Sequence, residues 1–513
     1  MASRRDQLNA YTFAKRRMLA SFTHSAGGGS EESAPRPLRG ILPGIITGVV
    51  VMAVFGAWGM FKPTAPKGWD TAYEKVIVAD KSTTRYVVLE TDGKKHLHPV
   101  LNMASAKLLL KDGKGAVITV DEKILDTRIQ HGVTVGIPYA PDRLPDAAEA
   151  AAEKRWAVCE RAGQGGSVQK AAFVLAERDW GKIEGPQKLG GGQLLYVQEQ
   201  GPDEARYVVD ATGTAYRIDE LEKEETELSN LLRAVVGSDR RPQTVTRDWL
   251  ETLHHGDPLA FPKIEGTPGE PANAPGQLNQ KADRVGMVLK ARDGDRDRHY
   301  VVLPGRVSPV SDFVATLLLA SSQLVPVGQA GNALEVSPGA LQPSGTFGDD
   351  RSWPDATPSA VNDPSGVGKA RDTVCNVLTG VDRRSGRTEL RTWAGAAFPA
   401  PLATGSTSAY VTPGSGQVYQ QYKGSATDVG PVFLVTDTGL RYVLQSNGDS
   451  TGEDTRIGRS DEDRQAQQQT ELQAQKLLGY ADVKPTPVPA PWSAYLPTGP
   501  RLSTADARQP QGS

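Results

Sequence analysis

The sequence predicts an α+β, β-rich protein with a single N-terminal transmembrane helix and an elongated ectodomain. Three observations predict it: an uncharged apolar stretch near the N-terminus, a high content of turn-forming residues, and four similar strand–turn segments. The 513 residues include 54 glycines and 36 prolines, well above the average shares of about 7% and 5%. In the ectodomain we expect a central β-sheet domain and four homologous repeats, each a small β-hairpin with a helix.

The composition excludes several functional classes. The chain has 58 Lys and Arg against 60 Asp and Glu, a formal net charge of −2. A dedicated nucleic-acid binder gains affinity by neutralising phosphates with basic residues, so we expect no nucleic-acid partner. Two cysteines are too few for a disulfide-dense scaffold or a Cys-rich zinc module. The mean hydropathy of −0.40 excludes a polytopic membrane protein.

The first element is an apolar stretch at residues 41–61, ILPGIITGVVVMAVFGAWGMF, which has no charged residue. At about 1.5 Å per residue a helix of this length matches the roughly 30 Å hydrocarbon core of a bilayer. Residues 1–40 form a basic tail, whereas the rest of the chain is net acidic. The positive-inside rule therefore predicts a single-pass protein of the cell membrane, with residues 1–40 in the cytoplasm and the bulk outside.

Two alternatives to the membrane span stay open, a cleaved signal peptide and a buried soluble helix. Within the stretch, Gly44 and Gly48 form a GxxxG pair that can pack against another span, although glycine is common in membrane helices anyway. Before it, residues 7–19 have aromatic, basic and apolar side chains at helical spacing. They predict either a basic amphipathic helix on the anionic inner leaflet or a juxtamembrane retention signal without a partner.

The ectodomain contains four segments in which a strand runs into a Gly-marked turn, each preceded by an apolar strand. They are residues 85–93, 206–213, 298–305 and 432–439. Paired β-branched and aromatic runs with such corners are typical of hairpins. Helical stretches and a proline-containing segment follow each hairpin. We expect repeat 1 at 71–145, repeat 2 at 191–264, repeat 3 at 284–354, repeat 4 at 413–503, and a disordered polar tail at 504–513.

The two cysteines lie between repeats, in strand-like sequence. Cys159 belongs to residues 150–190 and Cys375 to residues 365–412, and we expect these two stretches to form one discontinuous central domain. Outside the cytoplasm a disulfide between the cysteines is chemically permitted. Two buried free thiols are the alternative.

Several short motifs approach catalytic signatures without completing them. Residues 364–370 resemble a phosphate-binding loop, but Asp363 occupies the first glycine position and Ala370 replaces the required hydroxyl residue. The G-x-S-x-G string at 448–452 is followed by polar sequence without an apolar helical face, which favours a surface turn over a nucleophile elbow. Residues 467–478 predict an exposed helix.

The histidines offer no metal motif. The adjacent pair His254 and His255 and the spaced pair His96 and His98 lack the pattern of a zinc site. We therefore expect surface histidines. The sequence nominates no catalytic, cofactor-binding or metal-binding residue.

Taken together, these features resemble the EccB family of type VII secretion systems in actinobacteria. The resemblance rests on YTFAKRR at 11–17, one span, WD at 69–70, the repeated YVV hairpins, two cysteines, and the closing VFLVTDTGLRYVL and LPTGPRLS between 432 and 503. It implies a membrane-complex subunit whose four repeats are similar to phage lysin binding units. The family's paired cysteines correspond to Cys159 and Cys375. The partners it implies are the EccC motor ATPase, EccD, EccE and a mycosin protease.

Three functional hypotheses follow. In the first, the protein is a structural subunit that helps form the translocation channel, and its ectodomain binds further copies, sister subunits or the cell wall. In the second, it is an ATP-hydrolysing secretion component with a site unlike a P-loop, because EccB proteins often carry an ATPase or hydrolase label. In the third, it binds cell wall independently of secretion.

Overall fold

The computed structural model describes residues 3–23, 38–61, 65–202, 204–218, 225–329, 331–365, 370–402, 408–444 and 473–511. These residues form five small β-sheets with short helices packed against them. The α+β, β-rich class predicted from the sequence is therefore confirmed.

Two helices precede the sheets. The first, Arg4–Thr23, lies in the basic tail, and the second, Leu38–Phe61, covers the predicted span. Residues 41–55 of the second helix are all exposed. In the part of the chain whose side chains are described, no helix combines the length and the apolar character that a membrane span requires. A Cβ added at Gly44 or Gly48 meets no described atom within 4 Å, so their packing role stays a prediction.

Four of the sheets share one arrangement. Three consecutive strands form an antiparallel meander, a fourth lies parallel to the first, and a fifth strand or single bridge lies parallel to the third. A helix follows the third strand, and a helix or a single 3-10 turn follows the fourth. We call each such sheet with its helices a unit and number the units 1 to 4 in chain order.

Units 1 and 2 have the complete set of five strands. Unit 1 has the strands Lys75–Ala79, Arg85–Thr91, Lys94–Val100, Ala116–Val120 and Gln130–His131, and the helices Met103–Leu108 and Glu122–Arg128. Unit 2 has the strands Gln193–Glu199, Arg206–Val209, Thr214–Ile218, Gln243–Val245 and His254–His255, the helices Glu225–Val236 and Arg247–Leu250, and an added strand, Ser359–Ala360.

In units 3 and 4 the fifth strand is reduced to a bridge. Unit 3 has the strands Val288–Asp293, Arg296–Leu303, Arg306–Val310 and Leu334–Glu335, the helix Asp312–Ala320 and the 3-10 turns Ser322–Val327 and Pro338–Ala340. Unit 4 has the strands Gly416–Tyr422, Val432–Thr436, Arg441–Val443 and Thr486–Pro489, and the helices Gln473–Leu477 and Ala490–Ala494.

A glycine sits at the same turn of every unit, between the second and third strands. These glycines have φ angles between 70° and 78°: Gly93, Gly213, Gly305 and Gly439. Glycine adopts this left-handed conformation without the steric cost that a Cβ imposes. The Gly-marked turns recognised in the sequence are therefore the hairpin corners.

The fifth sheet is central and comes from two distant stretches of the chain. Its strands are Arg155–Ala162, Val168–Leu175, Thr373–Val381, Thr388–Gly395 and Ala409–Val411. The helices Ala147–Ala151 and Gly181–Glu184 and the 3-10 turns Gln164–Gly166 and Glu177–Asp179 lie beside it in the chain.

Shared hydrophobic cores join the units. One face of the central sheet packs against units 2 and 4 in a single core. Units 1 and 4 share a second core, and units 2 and 3 share a third. The opposite face of the central sheet has a core of its own. The central sheet therefore holds two units directly, and each of these holds one more.

The end of the chain differs from the prediction. We expected a disordered tail at 504–513, which is wrong for the residues described up to 511. Thr504–Ala507 is a helix, and Ala507 is fully buried in the core that units 1 and 4 share. The backbone N–H of Gln511 then donates to the carbonyl of Thr134 at 2.8 Å. Composition does not reveal this, because the tail is held by backbone hydrogen bonds, by Gln511 Nε2, which donates to the carbonyl of Gly136 at 2.9 Å, and by one small apolar side chain.

Removing the tail should loosen unit 1 locally. The N–H of Gly136 donates to the carbonyl of Gln509 at 3.3 Å, so a chain that ends at Ser503 should exchange the amides of residues 134–136 faster with deuterium. Peptide-level mass spectrometry checks it. The equivalent segment of unit 2, where the N–H of Leu259 donates to the carbonyl of Arg217 at 2.8 Å, is the matched control and should keep its rate. Equal protection of residues 134–136 in both chains would contradict tail docking.

Candidate functional site

The disulfide lies in the middle of the central sheet. Cys159 and Cys375 occupy paired positions on adjacent antiparallel strands, and their sulfur atoms are 2.01 Å apart. Both are fully buried, and Trp393 pairs with Cys375 from the next strand. The cysteines are 216 residues apart in the chain. A closed loop of that size restricts the unfolded chain, which corresponds to about 5 kcal/mol in the chain-entropy model.

The residue after Cys159 is a buried glutamate on the opposite face of the same strand. Glu160 Oε2 accepts the backbone N–H of Thr246 at 2.7 Å, and Oε1 accepts the Thr246 hydroxyl at 2.5 Å. The hydroxyl of Tyr495 also donates to Oε1, at 2.9 Å. Thr246 caps a helix of unit 2 and Tyr495 ends a helix of unit 4. One carboxylate thus links the central sheet to both units.

The protonation of this carboxylate depends on its surroundings. Burial raises the pKa of Glu160, while the hydrogen bonds from Thr246 and Tyr495 and the nearby charge of Lys170 oppose that rise. Burial also raises the pKa of Tyr495, and the charge of Glu160 adds to this effect. A buried carboxylate is costly unless it is hydrogen-bonded. Both donor residues are therefore structural requirements at this junction.

Two tryptophans also connect the central sheet to units 2 and 4. Trp156, on the central sheet, donates its indole N–H to Gln417 Oε1 of unit 4 at 2.9 Å. Trp249, on the unit 2 helix that Thr246 caps, donates its indole N–H to the carbonyl of Val158 at 3.2 Å. Both tryptophans are buried. Units 2 and 4 are thus each held against the central sheet by an apolar surface and by a directed hydrogen bond. The hydrogen bond fixes the orientation of the unit on the sheet.

Buried amide side chains extend the junction on the side of unit 2. Gln243 Nε2 donates to the carbonyl of Asp372 at 2.9 Å, and Asp372 accepts from Arg161 Nη2 at 2.8 Å. Asn376 Nδ2 donates to the hydroxyl of Thr252 at 2.5 Å. These side chains bond to neighbouring strands and helices of the same chain. Their chemistry is that of a scaffold.

The prediction of surface histidines is wrong for two residues. His98 is buried, and its Nδ1 lies 2.8 Å from the carbonyl of Val133. Gly132 makes room for it, because a Cβ there would lie 2.2 Å from the ring. His254 is half-buried, with Nε2 2.7 Å from the hydroxyl of Thr388. Burial lowers the pKa of both histidines, which favours the neutral ring.

The remaining motifs yield no site. The G-x-S-x-G string at 448–452 lies outside the described residues, as do residues 366–369 and 467–472. Where the predicted exposed helix is described, a helix is present at Gln473–Leu477, but its predicted exposure is wrong, because Ala474 and the following Leu478 are buried in the core between units 1 and 4. Across the described ranges, no group of three or more His, Cys, Asp and Glu residues could hold a metal ion.

The junction was not predictable as a site. Glu160, Thr246, Tyr495 and Gln417 lie in four separate parts of the sequence and match no motif. A weak signal marked only Glu160, because it follows a cysteine inside strand-like sequence.

Comparison with known proteins decides the family. The family model for the type VII secretion system ESX-1, transport TM domain B, matches residues 1–512. The chain belongs to the EccB family. It is 28% identical over 333 residues to the ESX-2 secretion system ATPase EccB2 of Mycobacterium tuberculosis, covering 62% of this chain and 59% of that relative. It is 24% identical over 532 residues to the ESX-3 secretion system ATPase EccB3 of the same organism, covering 98% and 88%.

Solved structures share the fold of this EccB chain. A chain of an intact ESX-5 inner membrane complex aligns with a TM-score of 0.55 at 20% identity, covering 100% of this chain and 96% of that one. A chain of an EccB3 dimer from the ESX-3 core complex aligns with a TM-score of 0.55 at 22% identity, covering 85% and 99%.

Breaking the disulfide should destabilise the folded part of the chain that the five sheets form. Replacing Cys159 and Cys375 by alanine should lower the free energy of unfolding by about 2–5 kcal/mol, measured by urea denaturation. In the unchanged protein, denatured without reductant, alkylation should label neither cysteine, and after reduction it should label both. Two labelled thiols without reduction would contradict the disulfide.

The free energy of unfolding should depend on pH through the titration of Glu160. Because its pKa is raised in the folded state, the folded protein binds this proton more strongly than the unfolded chain. The free energy of unfolding should therefore fall as the pH rises above the usual glutamate pKa of about 4.3, and level off above the folded-state pKa.

Glu160→Gln should remove this pH dependence. The free energy of unfolding of the variant minus that of the unchanged protein should therefore become more positive as the pH rises across this window. Urea denaturation from pH 4 to 8 measures it. Glu153→Gln, at an exposed position near the start of the same sheet, is the control and should follow the unchanged protein. A Glu160→Gln curve parallel to that of the unchanged protein would rule out the proton linkage.

Proposed function

We propose that this EccB chain is a structural subunit of a type VII secretion membrane complex, where it helps form the channel for protein export. Its ectodomain acts as an assembly and interaction module. The observation that carries the proposal is the family match along residues 1–512. The interior supports it, because the buried polar groups of the junction join units 2 and 4 to the central sheet.

The proposal includes a membrane topology. Residues 41–61 would span the membrane, residues 1–40 would lie in the cytoplasm and the rest outside. The exposed apolar side chains of residues 41–55 support a lipid environment for this helix. The disulfide supports an oxidising compartment for the ectodomain.

We also propose that units 1 to 4 are homologous repeats around the central domain, close to the boundaries expected from the sequence. Their common strand order and the glycine at the same turn of each support this. Small units held on a central sheet leave many outward surfaces for partners, as an assembly module requires.

The proposed partners are further copies of this chain, the EccC motor ATPase, EccD, EccE and a mycosin protease, with the bilayer and the cell wall as surroundings. A similar EccB3 chain was solved as a dimer from the ESX-3 core complex, and another similar chain in an intact ESX-5 inner membrane complex. Those assemblies support partners of the same class here.

ATP hydrolysis is the alternative, and it rests on the names of relatives, which are called ATPases. The sequence of this chain does not contain a Walker A motif. ATP turnover by the purified full chain that survives several purification routes and is abolished by one substitution would contradict a purely structural role.

Affinity purification of the full chain from detergent extract tests the proposal. We expect type VII membrane subunits, including an FtsK-like motor ATPase, to co-purify. Gly44→Leu with Gly48→Leu should reduce their recovery several-fold if these glycines pack against another span, and the chain itself has room for both side chains. Ala53→Leu, on the opposite side of the helix, is the matched control. Recovery of neither motor nor channel subunits would contradict the assembly role.

A further inference from the structure

The fourth strand of unit 1 is an edge strand that lacks the usual protection. Ala116–Val120 ends the strand order of its sheet, so no described strand pairs with its outer side. Its five residues, AVITV, include neither a charge nor a proline. Ala116, Val117 and Thr119 are exposed, Val117 by 54%. Natural sheets usually protect such edges with charges, prolines, bulges or covering elements.

The other three units protect the equivalent strand. In unit 2, Gln243–Val245 packs against the central sheet, and Gln243 is buried. In unit 3 the strand is only the two residues Leu334–Glu335. In unit 4 the strand Thr486–Pro489 contains two prolines. The opposite edge of unit 1 is covered by the C-terminal tail, where Val135 bridges to Pro510. The bare edge is therefore particular to one strand of one unit.

The backbone orientation of this strand is fixed by its inner neighbour. The carbonyl of Val120 accepts the N–H of Asp80, which follows the first strand. Since peptide groups alternate in direction along a strand, Val120, Ile118 and Ala116 direct theirs inward. Val117 and Thr119 consequently direct their N–H and C=O groups outward, where an added strand can bond to them.

A second copy of the same strand complements this edge. In an antiparallel pairing centred on Ile118, Val117 lies opposite Thr119 of the second copy, and each such pair exchanges both N–H···O bonds. Ala116 then lies opposite Val120, so every apolar residue meets another uncharged residue. A pairing with a two-fold axis uses the same surface on both copies.

Overlap of the strands and charge at their ends favour one register. Centred on Ile118, the pairing matches all five residues of both strands and brings Lys114 to the end of the second copy's strand, beside Asp121 and the helix that begins at Glu122. Lys114 keeps a half-exposed side chain (48%) although its Nζ lies 3.5 Å from Glu74. Centring on Thr119 instead would place Val117 opposite Asp121, and centring on Val117 would place Lys114 opposite Val120. Of the three, only the register centred on Ile118 pairs all five residues of both strands.

We propose that Ala116–Val120 pairs antiparallel with the same strand of a second copy about a two-fold axis at Ile118, joining two unit 1 sheets into one continuous sheet. Five residues form a small interface compared with the roughly 1,200 Å² of a stable complex. The pairing therefore forms where membrane attachment or other contacts already hold two copies close together. The inference adds a surface and a register to the proposed assembly role.

Cysteine cross-linking of the full chain in its native membranes tests the register. Residues opposite each other at a non-hydrogen-bonded antiparallel pair have Cα atoms about 4.5 Å apart, within disulfide range. Ile118→Cys should therefore give a covalent dimer under mild oxidation, roughly tenfold more than Val117→Cys or Thr119→Cys alone. Non-reducing electrophoresis measures it, and the buried native cysteines do not interfere.

A second measurement leaves Ile118 intact. Membranes that contain differently tagged Val117→Cys and Thr119→Cys copies should give a mixed dimer, whereas each variant alone should not. Adding Thr119→Pro to the Ile118→Cys chain should abolish the cross-link, because it removes an outward N–H without touching an inward one. Thr119→Ser keeps that N–H and should leave the cross-link unchanged.

Three outcomes would overturn the inference: no cross-link in Ile118→Cys or in the mixed copies, equal cross-linking at all three positions, or an adduct with a different polypeptide. The test of this pairing surface can be distinguished from the test of the assembly role. Co-purification of secretion subunits without this cross-link would reject the surface alone, and the cross-link without those subunits would reject the assembly role alone.

Discussion

The carboxylate of Glu160 is the point where the central sheet, unit 2 and unit 4 meet, and the arrangement of these sheets depends on keeping it hydrogen-bonded. Its donors are Thr246 and Tyr495, one from each unit. A buried charge that lost either donor would be left partly unpaired in an apolar core. The interaction therefore selects one orientation for both units, whereas apolar contact alone would tolerate several.

Much of the fold could be predicted from local sequence. Hairpin corners at residues such as Gly93 and Gly439 follow from the conformational freedom of glycine, and alternating β-branched residues indicate the strands between them. The pairing of Cys159 with Cys375 agreed with their strand-like surroundings and with the family resemblance. In each case the signal lies within a few residues of the feature it predicts, or in a family pattern.

The junction could not be predicted, because its partners are far apart in the chain. Glu160 and Tyr495 are separated by 335 residues, and no spacing rule connects them. The errors have the same origin. His98 was expected at the surface because its type usually is, but Gly132 opens a space for its ring. The tail near Ala507 was expected to be disordered from its polarity, but a hydrophobic surface from units 1 and 4 receives it.

The order of the central sheet has a consequence for how the chain reaches its folded state. Arg155–Ala162 lies between Val168–Leu175, which follows at once, and Thr373–Val381, which comes some two hundred residues later. During synthesis the first hairpin must therefore remain with one edge unpaired while units 2 and 3 emerge. Such non-local pairing slows folding and prolongs the exposure of an aggregation-prone edge. Units 2 and 3 can bury their own shared core during that interval. The central hairpin then remains the exposed surface to which chaperones and proteases would bind.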